Sequence, residues 1–341
     1  SYTLGLFGPQ ADEVAGKATI AQKEIGFGGQ KDAKATLKQV AIDAGLTATR
    51  AQAYADAYVD KADAADALKT AVQTQADDQA KLLAQGTAIG LTDAHAQTYA
   101  TKNLDTAEVH LKTALETEAK VQALEMKQAL ATQSGLDNSY ANAPVENYKY
   151  IDENTTNSQG QVTVRKGYQS IYSQPYSMVV STSINKYIKD DIDQLSTGQT
   201  STNLTGFATQ AKFIPVEGKA SYLGKAIVGE WTIFNMDLVY NVDFGKRTGS
   251  GYLTKGYADN YYGSKITLNE GTIDKVNIKG NDVVGINSTA KSLNNLNGTY
   301  AIGFYGTEAQ EIAGTLNIPT STYGSTKVEY GLGATRGEIT K

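Results

Sequence analysis

The period of the hydrophobic positions divides the chain into three stretches. From Lys31 to about Ser134 apolar residues recur every three or four positions. One such series is Tyr54, Tyr58, Ala62, Ala65, Leu68, Val72, Ala76, Ala80 and Leu83. A second is Leu104, Ala107, Leu111, Leu115, Ala119, Ala123, Met126 and Leu130. This is the stripe of an amphipathic helix, here narrow and built largely of alanine. Three stops punctuate it at a spacing of 45 residues: Gly45-Leu46-Thr47, Gly90-Leu91-Thr92 and Gly135-Leu136-Asp137. In each, Gly suits a helix stop and Thr or Asp suits the N-cap of the next helix. The pattern predicts a short helix from about Lys31 to Ala44 and two long ones, about Ala48 to Ala84 and Asp93 to Gln133. Each long helix would reach roughly 50 to 60 Å. A period near 45 also fits stacked helix pairs. The lack of Gly or Pro inside each repeat, except near Gly86, favours the two long helices.

The two ends of the chain have strand character and repeat each other. Tyr300, Ile302 and Phe304 alternate with smaller residues, the period of a half-buried strand. Residues 1–20 align with 299–318 without a gap, with Tyr2/Tyr300, Gly5/Gly303, Gly8/Gly306, Ala11/Ala309, Glu13/Glu311, Ala15/Ala313, Gly16/Gly314 and Ile20/Ile318 identical. After a short insertion in the later copy, Glu24-Ile25-Gly26-Phe27-Gly28 faces Glu329-Tyr330-Gly331-Leu332-Gly333. Each copy is expected to be strand, one-turn helix, strand. Thr307 and Gln310 have capping-box spacing, Gly314 is placed to leave the turn left-handed, and Pro9 suits a first helical position. Two strands alone are marginal in water. Residues 1–31 are therefore expected to be the closing β-hairpin of a truncated, barrel-like upstream domain.

From Gly135 to about Gln161 the sequence reads as linker. Beyond it Tyr, Gly, Val, Ile and Thr dominate in short runs, among them Gln169 to Ser183, Gly206 to Phe213, Lys219 to Val228, Thr232 to Phe244, Lys265 to Asn269, Asp274 to Lys279 and Val283 to Ala290, with one short polar helix near Ile188 to Gln194. Frequent glycine turns point to an antiparallel closed barrel. The fold class is α+β multidomain: an Ala-rich long-helix hairpin at 32–144, then an antiparallel, about eight-stranded soluble β-barrel at 145–341. Outer-membrane barrels share the texture, but neither a terminal aromatic strand nor a lipid-facing band stands out.

Composition narrows the function. The chain has 341 residues, net charge −5, two His and no Cys. Dispersed Lys and Arg on an acidic chain exclude a nucleic-acid footprint. Zero Cys excludes disulfides, thiolate metal sites and a cysteine nucleophile. No stretch approaches a membrane-spanning helix. No Ser, His and Asp set stands out, so the sequence supplies no catalytic site.

Four segments carry a family resemblance. They are Gly167-Tyr168-Gln169-Ser170-Ile171-Tyr172-Ser173-Gln174-Pro175-Tyr176-Ser177-Met178-Val179-Val180, Gly218-Lys219-Ala220-Ser221-Tyr222-Leu223-Gly224-Lys225-Ala226, Tyr240-Asn241-Val242-Asp243-Phe244-Gly245-Lys246-Arg247-Thr248-Gly249-Ser250-Gly251, and the unit from Gly303 to Gly314. In order and spacing they resemble the C-terminal barrel of transferrin-binding protein B-like proteins, a group with hemophilin-type haem carriers and other cargo of Slam outer-membrane translocons. The resemblance implies a soluble eight-stranded barrel, display on the bacterial surface or secretion, and binding rather than catalysis. Its partners would be a host iron or haem protein, the outer-membrane translocon and a receptor, with haem itself an open ligand. Adhesion or immune evasion, with the helices as a spacer, is the alternative. The helical segment matches no known handle of the family, so no ligand residues carry over.

Candidate contacts come from the helical segment: Tyr54, Tyr58, His95 and Tyr99. His95 and His110 are the two possible imidazole ligands, fifteen residues apart and about 22 Å along one helix, too far to share a metal. His95 also suits a solvated first-turn position after Thr92. Asp152 to Gly160 is oxygen-rich but lacks the Gly and terminal Glu of an EF-hand, and reads as a loop. Gly245 to Gly249 reads as a hairpin turn rather than a phosphate loop. Glu13 and Glu311 read as structural.

Overall fold

The structure, a computed structural model, describes residues 1–8, 11, 13–30, 32–142, 145–189, 192–193, 199–229, 235–254, 265–319 and 327–341. The chain divides into two compact units, one of residues 1–84 with 100–111 and the other of 85–99 with 112–341. Pro9, Lys31, Gln194 and the beginning of the expected strand at Thr232 lie outside the described residues.

The helical repeat is a pair of helices. Each expected long helix is divided, into α2 (Ala48–Tyr58) and α3 (Ala64–Ile89), then α4 (Asp93–Asn103) and α5 (Glu108–Gln133), after α1 (Ala33–Asp43). The long-helix hairpin is thus corrected to two copies of a short helix followed by a long one. The breaks need neither Gly nor Pro. Asp60 takes φ +65, a left-handed conformation that Asp tolerates better than most residues, and Tyr54 fixes the break by donating its hydroxyl to the Ala64 carbonyl at 2.6 Å.

The three glycine stops behave as expected. Gly45, Gly90 and Gly135 have φ of +97, +105 and +69. The amide of each following Leu reaches back to Ala41, Gly86 and Ala131, a Schellman closure whose Leu46, Leu91 and Leu136 are buried. A side-chain clasp repeats with the helices. Gln75 accepts from the Thr47 amide at 2.9 Å and donates to the Gly45 carbonyl at 2.8 Å. Gln122 accepts from the Thr92 amide at 2.8 Å and donates to the Gly90 carbonyl at 3.3 Å.

Ahead of the helices lies an antiparallel three-stranded sheet, β1 (Tyr2–Phe7), β2 (Glu13–Ile20) and β3 (Lys23–Gln30). In the second unit α6 (Ser139–Asn142) leads into β4 (Val145–Thr156), β5 (Val162–Ser173), β6 (Ser177–Lys189), β7 (Ile192–Asp193) and β8 (Gln199–Gly206). These form an open five-stranded sheet ordered β4-β5-β6-β7, with β8 on β6. The closed barrel follows: β9 (Lys219–Ile227), β10 (Met236–Asp243), β11 (Thr248–Thr254), β12 (Lys265–Ile278), β13 (Asn281–Ser292), β14 (Asn297–Tyr305), β15 (Glu311–Pro319) and β16 (Lys327–Arg336). It is antiparallel and eight-stranded, as expected, with β9 pairing β16 to close it.

Residues 145–341 therefore hold a sheet and a barrel rather than a barrel alone. The expected linker before Gln161 contains β4. The run Gln169 to Ser183 splits at Gln174–Tyr176 into β5 and β6. Ile188 and Asp193 are strand residues, not helix. Gly206 to Phe213 ends in a 3-10 turn, Ala211–Phe213. Lys265 to Asn269 and Asp274 to Lys279 belong to one strand interrupted by a register shift. The expected one-turn helix after Gly306 is a tight turn. Gln310 donates to Thr307 Oγ1 at 3.0 Å and accepts from the Glu308 amide at 2.8 Å. Gly306 and Ala309, not Gly314, take positive φ, +95 and +57.

The barrel interior is filled by Tyr222, Tyr240, Phe244, Phe304 and aliphatic residues from all eight strands. Its polar tips are satisfied inside: the Tyr240 and Tyr300 hydroxyls meet at 3.0 Å, and Tyr222 donates to the Ala309 carbonyl at 2.7 Å. Outward positions such as Ser221, Asn241, Lys265, Thr267 and Asn277 are polar and exposed, which suits water rather than lipid. Among the described residues no helix is long and apolar enough to cross a membrane.

The open sheet is seated on the barrel by buried polar contacts. Glu311 on β15 accepts from the Tyr176 amide at 3.0 Å and the Ser177 hydroxyl at 2.7 Å. Buried Lys127 of α5 donates to the neighbouring Gln174 carbonyl at 2.7 Å. Glu329 on β16 accepts from the Thr202 amide at 2.9 Å. Between these anchors the backbones approach so closely that a Cβ on Gly331 would stand 2.4 Å from Val179 and one on Gly333 2.4 Å from Tyr172.

Two predictions follow from these contacts. Gln122→Ala removes two partly buried hydrogen bonds and should lower stability by about 2 kcal/mol in urea unfolding. Burial pushes Glu311 from its ordinary 4.5 up to about 7, against its hydrogen bonds and the Lys127 charge. The folded state then keeps a proton that the unfolded chain releases, so this contribution to stability is full below pH 4.5 and is lost as pH rises to about 7. Relative to Glu311→Gln, the native protein should lose about 3 kcal/mol across that window, as measured by urea unfolding at a series of pH values.

Candidate functional site

The sequence-predicted contacts fall into two groups. Tyr54 and Tyr58 lie one turn apart on α2, and the structure stacks their rings at 5.3 Å between centroids and 26° between planes. They line a groove of 590 Å³ whose floor is Ala53, Ala57, Ala67 and Ala71 and whose rim carries Arg50, Asp63 and Asp66. Alanine spacing explains the groove, because short side chains on facing turns of α2 and α3 leave room beside the tyrosine rings. Tyr54 is buried and Tyr58 half-buried. Burial, then the neighbouring Tyr58 and Asp63, raises the Tyr54 pKa, so its hydroxyl stays protonated and committed to Ala64.

Arg50 lines this groove and is tied to Asp78 and Asp105, and sequence reasoning passed over all three. The Arg50 guanidinium bonds Asp78 at 2.9 Å, Asp105 at 2.9 Å and the Leu104 carbonyl at 2.9 Å. A planar fork is suited to holding three such acceptors. The available signal was the position of Arg50 in the first turn after the Thr47 cap and the presence of an Asp in each helix break, Asp60 and Asp105.

His95 and Tyr99 belong to the other compact unit. His95 is clamped by two carboxylates of α5, Nδ1 to Glu118 Oε1 at 2.6 Å and Nε2 to Glu125 Oε2 at 3.1 Å. The solvated first-turn expectation is thereby corrected: the side chain is largely buried, at 13% exposure. Both ring nitrogens are engaged, and neither is presented to a metal. Burial alone would lower the His95 pKa, but hydrogen bonds and charge from Glu118 and Glu125 outweigh it and raise it above 6.5. Tyr99 is buried, at 1% exposure, and belongs to the packing of its unit. His110 is exposed at the start of α5, and the helix that was to carry both histidines is interrupted between them at 104–107.

The remaining motifs resolve as structure. Asp152 and Glu153 pair with Lys166 and Arg165 across β4 and β5, and Asn157 organises the hairpin beyond them. Among the described residues no group of three or more His, Cys, Asp or Glu could hold a metal ion. Gly245 to Gly249 is the β10–β11 hairpin, with Asp243 accepting from the Lys246 amide at 2.9 Å.

With this geometry in place, the barrel can be compared with known proteins. Residues 212–316, from the 3-10 turn to β15, match the family described as factor H binding protein, C-terminal. Over these residues the barrel is similar to that C-terminal domain. Solved structures similar to the chain include the intact Ap-TbpB with its N and C lobes, at 16% identity and TM-score 0.36, covering 58% of this chain and 39% of that one. A variant of transferrin-binding protein B from Haemophilus parasuis Hp5 is similar at 18% identity and TM-score 0.33, covering 56% of this chain and 38% of that one. The isotype 1 protein from serogroup B Neisseria meningitidis gives 19%, 0.34, 56% and 35% in the same order. The matched region thus spans well under half the length of these proteins. No curated protein compared with the chain matches it.

The His95 clamp has a measurable consequence. A His whose folded pKa is raised contributes stability that is full below the unfolded value of 6.5 and is lost as pH rises through the folded value. The His95 imidazole should titrate above 6.5 by NMR, and His95→Gln should remove that part of the pH dependence of stability. A midpoint at or below 6.5 would show that the carboxylates do not hold it.

Proposed function

We propose that the chain is part of a non-enzymatic bacterial surface or secreted binding protein that captures a host protein, with the barrel serving display and the helical repeat serving contact. The observation that carries this reading is the factor H binding protein match over a barrel whose interior is filled by its own side chains. With the barrel core occupied by its own side chains, outer surfaces are the favoured place for recognition. The groove of Tyr54 and Tyr58 is the contact surface favoured here, because tyrosine rings are frequent anchors of protein interfaces. Its alanine floor and acidic rim suit an apolar side chain flanked by basic residues. Haem suits it less, because the Tyr54 hydroxyl is already committed to the Ala64 carbonyl.

A host iron or haem protein is the reading that rests on the four segments resembling transferrin-binding protein B-like proteins. A complement regulator is a second reading, favoured by the description of the family matched at residues 212–316. Export through an outer-membrane translocon and handover to a receptor belong to the first reading.

The chain immobilised on resin should retain one abundant protein from plasma or haemolysate. An iron or haem carrier would support the first reading, and a complement regulator the second. Tyr58→Ala should weaken capture by about 10-fold or more if the groove is the contact, whereas capture unchanged by that substitution would move the contact elsewhere. A Soret shift with added haemin and no captured protein would overturn the proposal.

A further inference from the structure

On β9, β10, β12 and β13 the outward face of the barrel is tied across strands by ion pairs: Lys219 with Asp243, Lys225 with Asp237 and Lys275 with Asp282. The part of the wall formed by β13, β14 and β15 is built differently. Two rows of residues cross it in register. Asn287, Ala301, Thr315 and Gly331 form the first, and Thr289, Thr299, Asn317 and Glu329 the second. They alternate with Ile286, Tyr300, Ile302, Leu316 and Ile318 of the barrel core, so they face outward.

Ala301 is short among longer neighbours, and a recess of 400 Å³ opens over it, a volume in the range of small-ligand sites. Asn287, Thr289, Thr299, Thr315 and Asn317 surround it, and among the described residues no charged side chain lines it. One side is closed by the open sheet. Val179 and Thr202 lie over Gly331, where a Cβ would stand 2.4 and 3.1 Å from them, and the neighbouring Thr315 is buried to 7% exposure. Thr289 accepts from the Asn269 amide at 2.8 Å. The side chains of Asn287, Thr299, Thr315 and Asn317 make no hydrogen bond with the described residues. Strand propensity accounts for threonines on an exposed face. It does not account for a nearly buried threonine hydroxyl left open to a recess.

We propose that this recess binds one neutral sugar unit of a glycan. A charged ligand finds no opposite charge in the lining, and Glu329 at the end of the second row is committed to the Thr202 amide and to Lys279. An apolar ligand would take water from the hydrogen-bonding side chains and replace it with nothing. Sugar hydroxyls both donate and accept, as Asn amides and Thr hydroxyls do, so a sugar ring exchanges water for protein at each of them. Thr315, already largely out of water, supplies the bond that solvent competes for least, and Ala301 supplies the room for the ring. The site belongs to the barrel and does not rest on the reading of the Tyr54 and Tyr58 groove.

NMR titration of the 341-residue chain tests this with glucose, galactose, N-acetylglucosamine, lactose and maltose, and with sialic acid and glucuronate as charged controls. At least one neutral sugar should give saturable shifts at the amides of residues 287–289, 299–301 and 315–317. Thr315→Val, which keeps the shape and removes the hydroxyl, should weaken that binding by about 5-fold. Ala301→Leu, which fills the recess, should abolish it, and Thr267→Ala, outward on β12, should leave it unchanged. No saturable shift with any neutral sugar overturns the proposal, as does binding that Thr315→Val and Ala301→Leu both leave intact. Tighter binding of the charged sugars overturns it as well. Shifts at these amides that grow with protein concentration in the absence of sugar assign the face to a second copy and also overturn it.

Discussion

Pairing of β9 with β16 is the constraint on which the second unit depends. It removes both edges of an eight-stranded sheet at once and turns one face of every strand inward. Tyr222, Tyr240, Phe244 and Phe304 are then buried as a group, which obliges their hydroxyls to find partners inside; the Tyr240–Tyr300 contact and the Tyr222 bond to Ala309 supply them. Closure also presents β15 and β16 as a rigid outer wall, and on that wall Glu311, Glu329 and two glycines receive the neighbouring sheet. The three-stranded sheet β1–β3 at the start of the described residues is open, with Leu4 and Leu6 exposed.

The helical repeat is held by local devices instead. Alanine stripes bury little area, so each 45-residue repeat relies on its terminus: a Schellman glycine, a buried leucine, a threonine cap and a glutamine from the following long helix that bonds both sides of the turn. This explains how a region with few large side chains keeps defined helix ends. It also explains where the groove comes from, since the alanines that let helices approach leave a recess wherever a tyrosine ring stands beside them.

The barrel and the helical repeat are held together in different physical ways. The barrel is packed around a core of its own side chains. The small-residue helical surface instead carries the stacked Tyr54 and Tyr58 rings and Arg50 tied to two aspartates.

Much of this was legible in sequence. Glycine stops, cap residues and the 45-residue period determined where helices end, because those signals act within a few residues. Alternation and glycine turns determined that the C-terminal part is antiparallel and closed, and the repeated segment determined that one unit occurs twice. The breaks at Asp60 and Asp105 were not legible as breaks, because neither Gly nor Pro marks them and the left-handed Asp60 is held by a Tyr54 bond across the gap. The boundary between open sheet and barrel was not legible either, since strands of both kinds have the same period and only the partner of each edge distinguishes them. Glu311 read only as a structural residue of its turn, and Glu329 and the glutamates that clamp His95 carried no signal of their own in sequence. Only the tertiary structure, by bringing Glu311 against the Tyr176 amide and Glu118 against an imidazole, decided which carboxylates are buried and whose charge they answer.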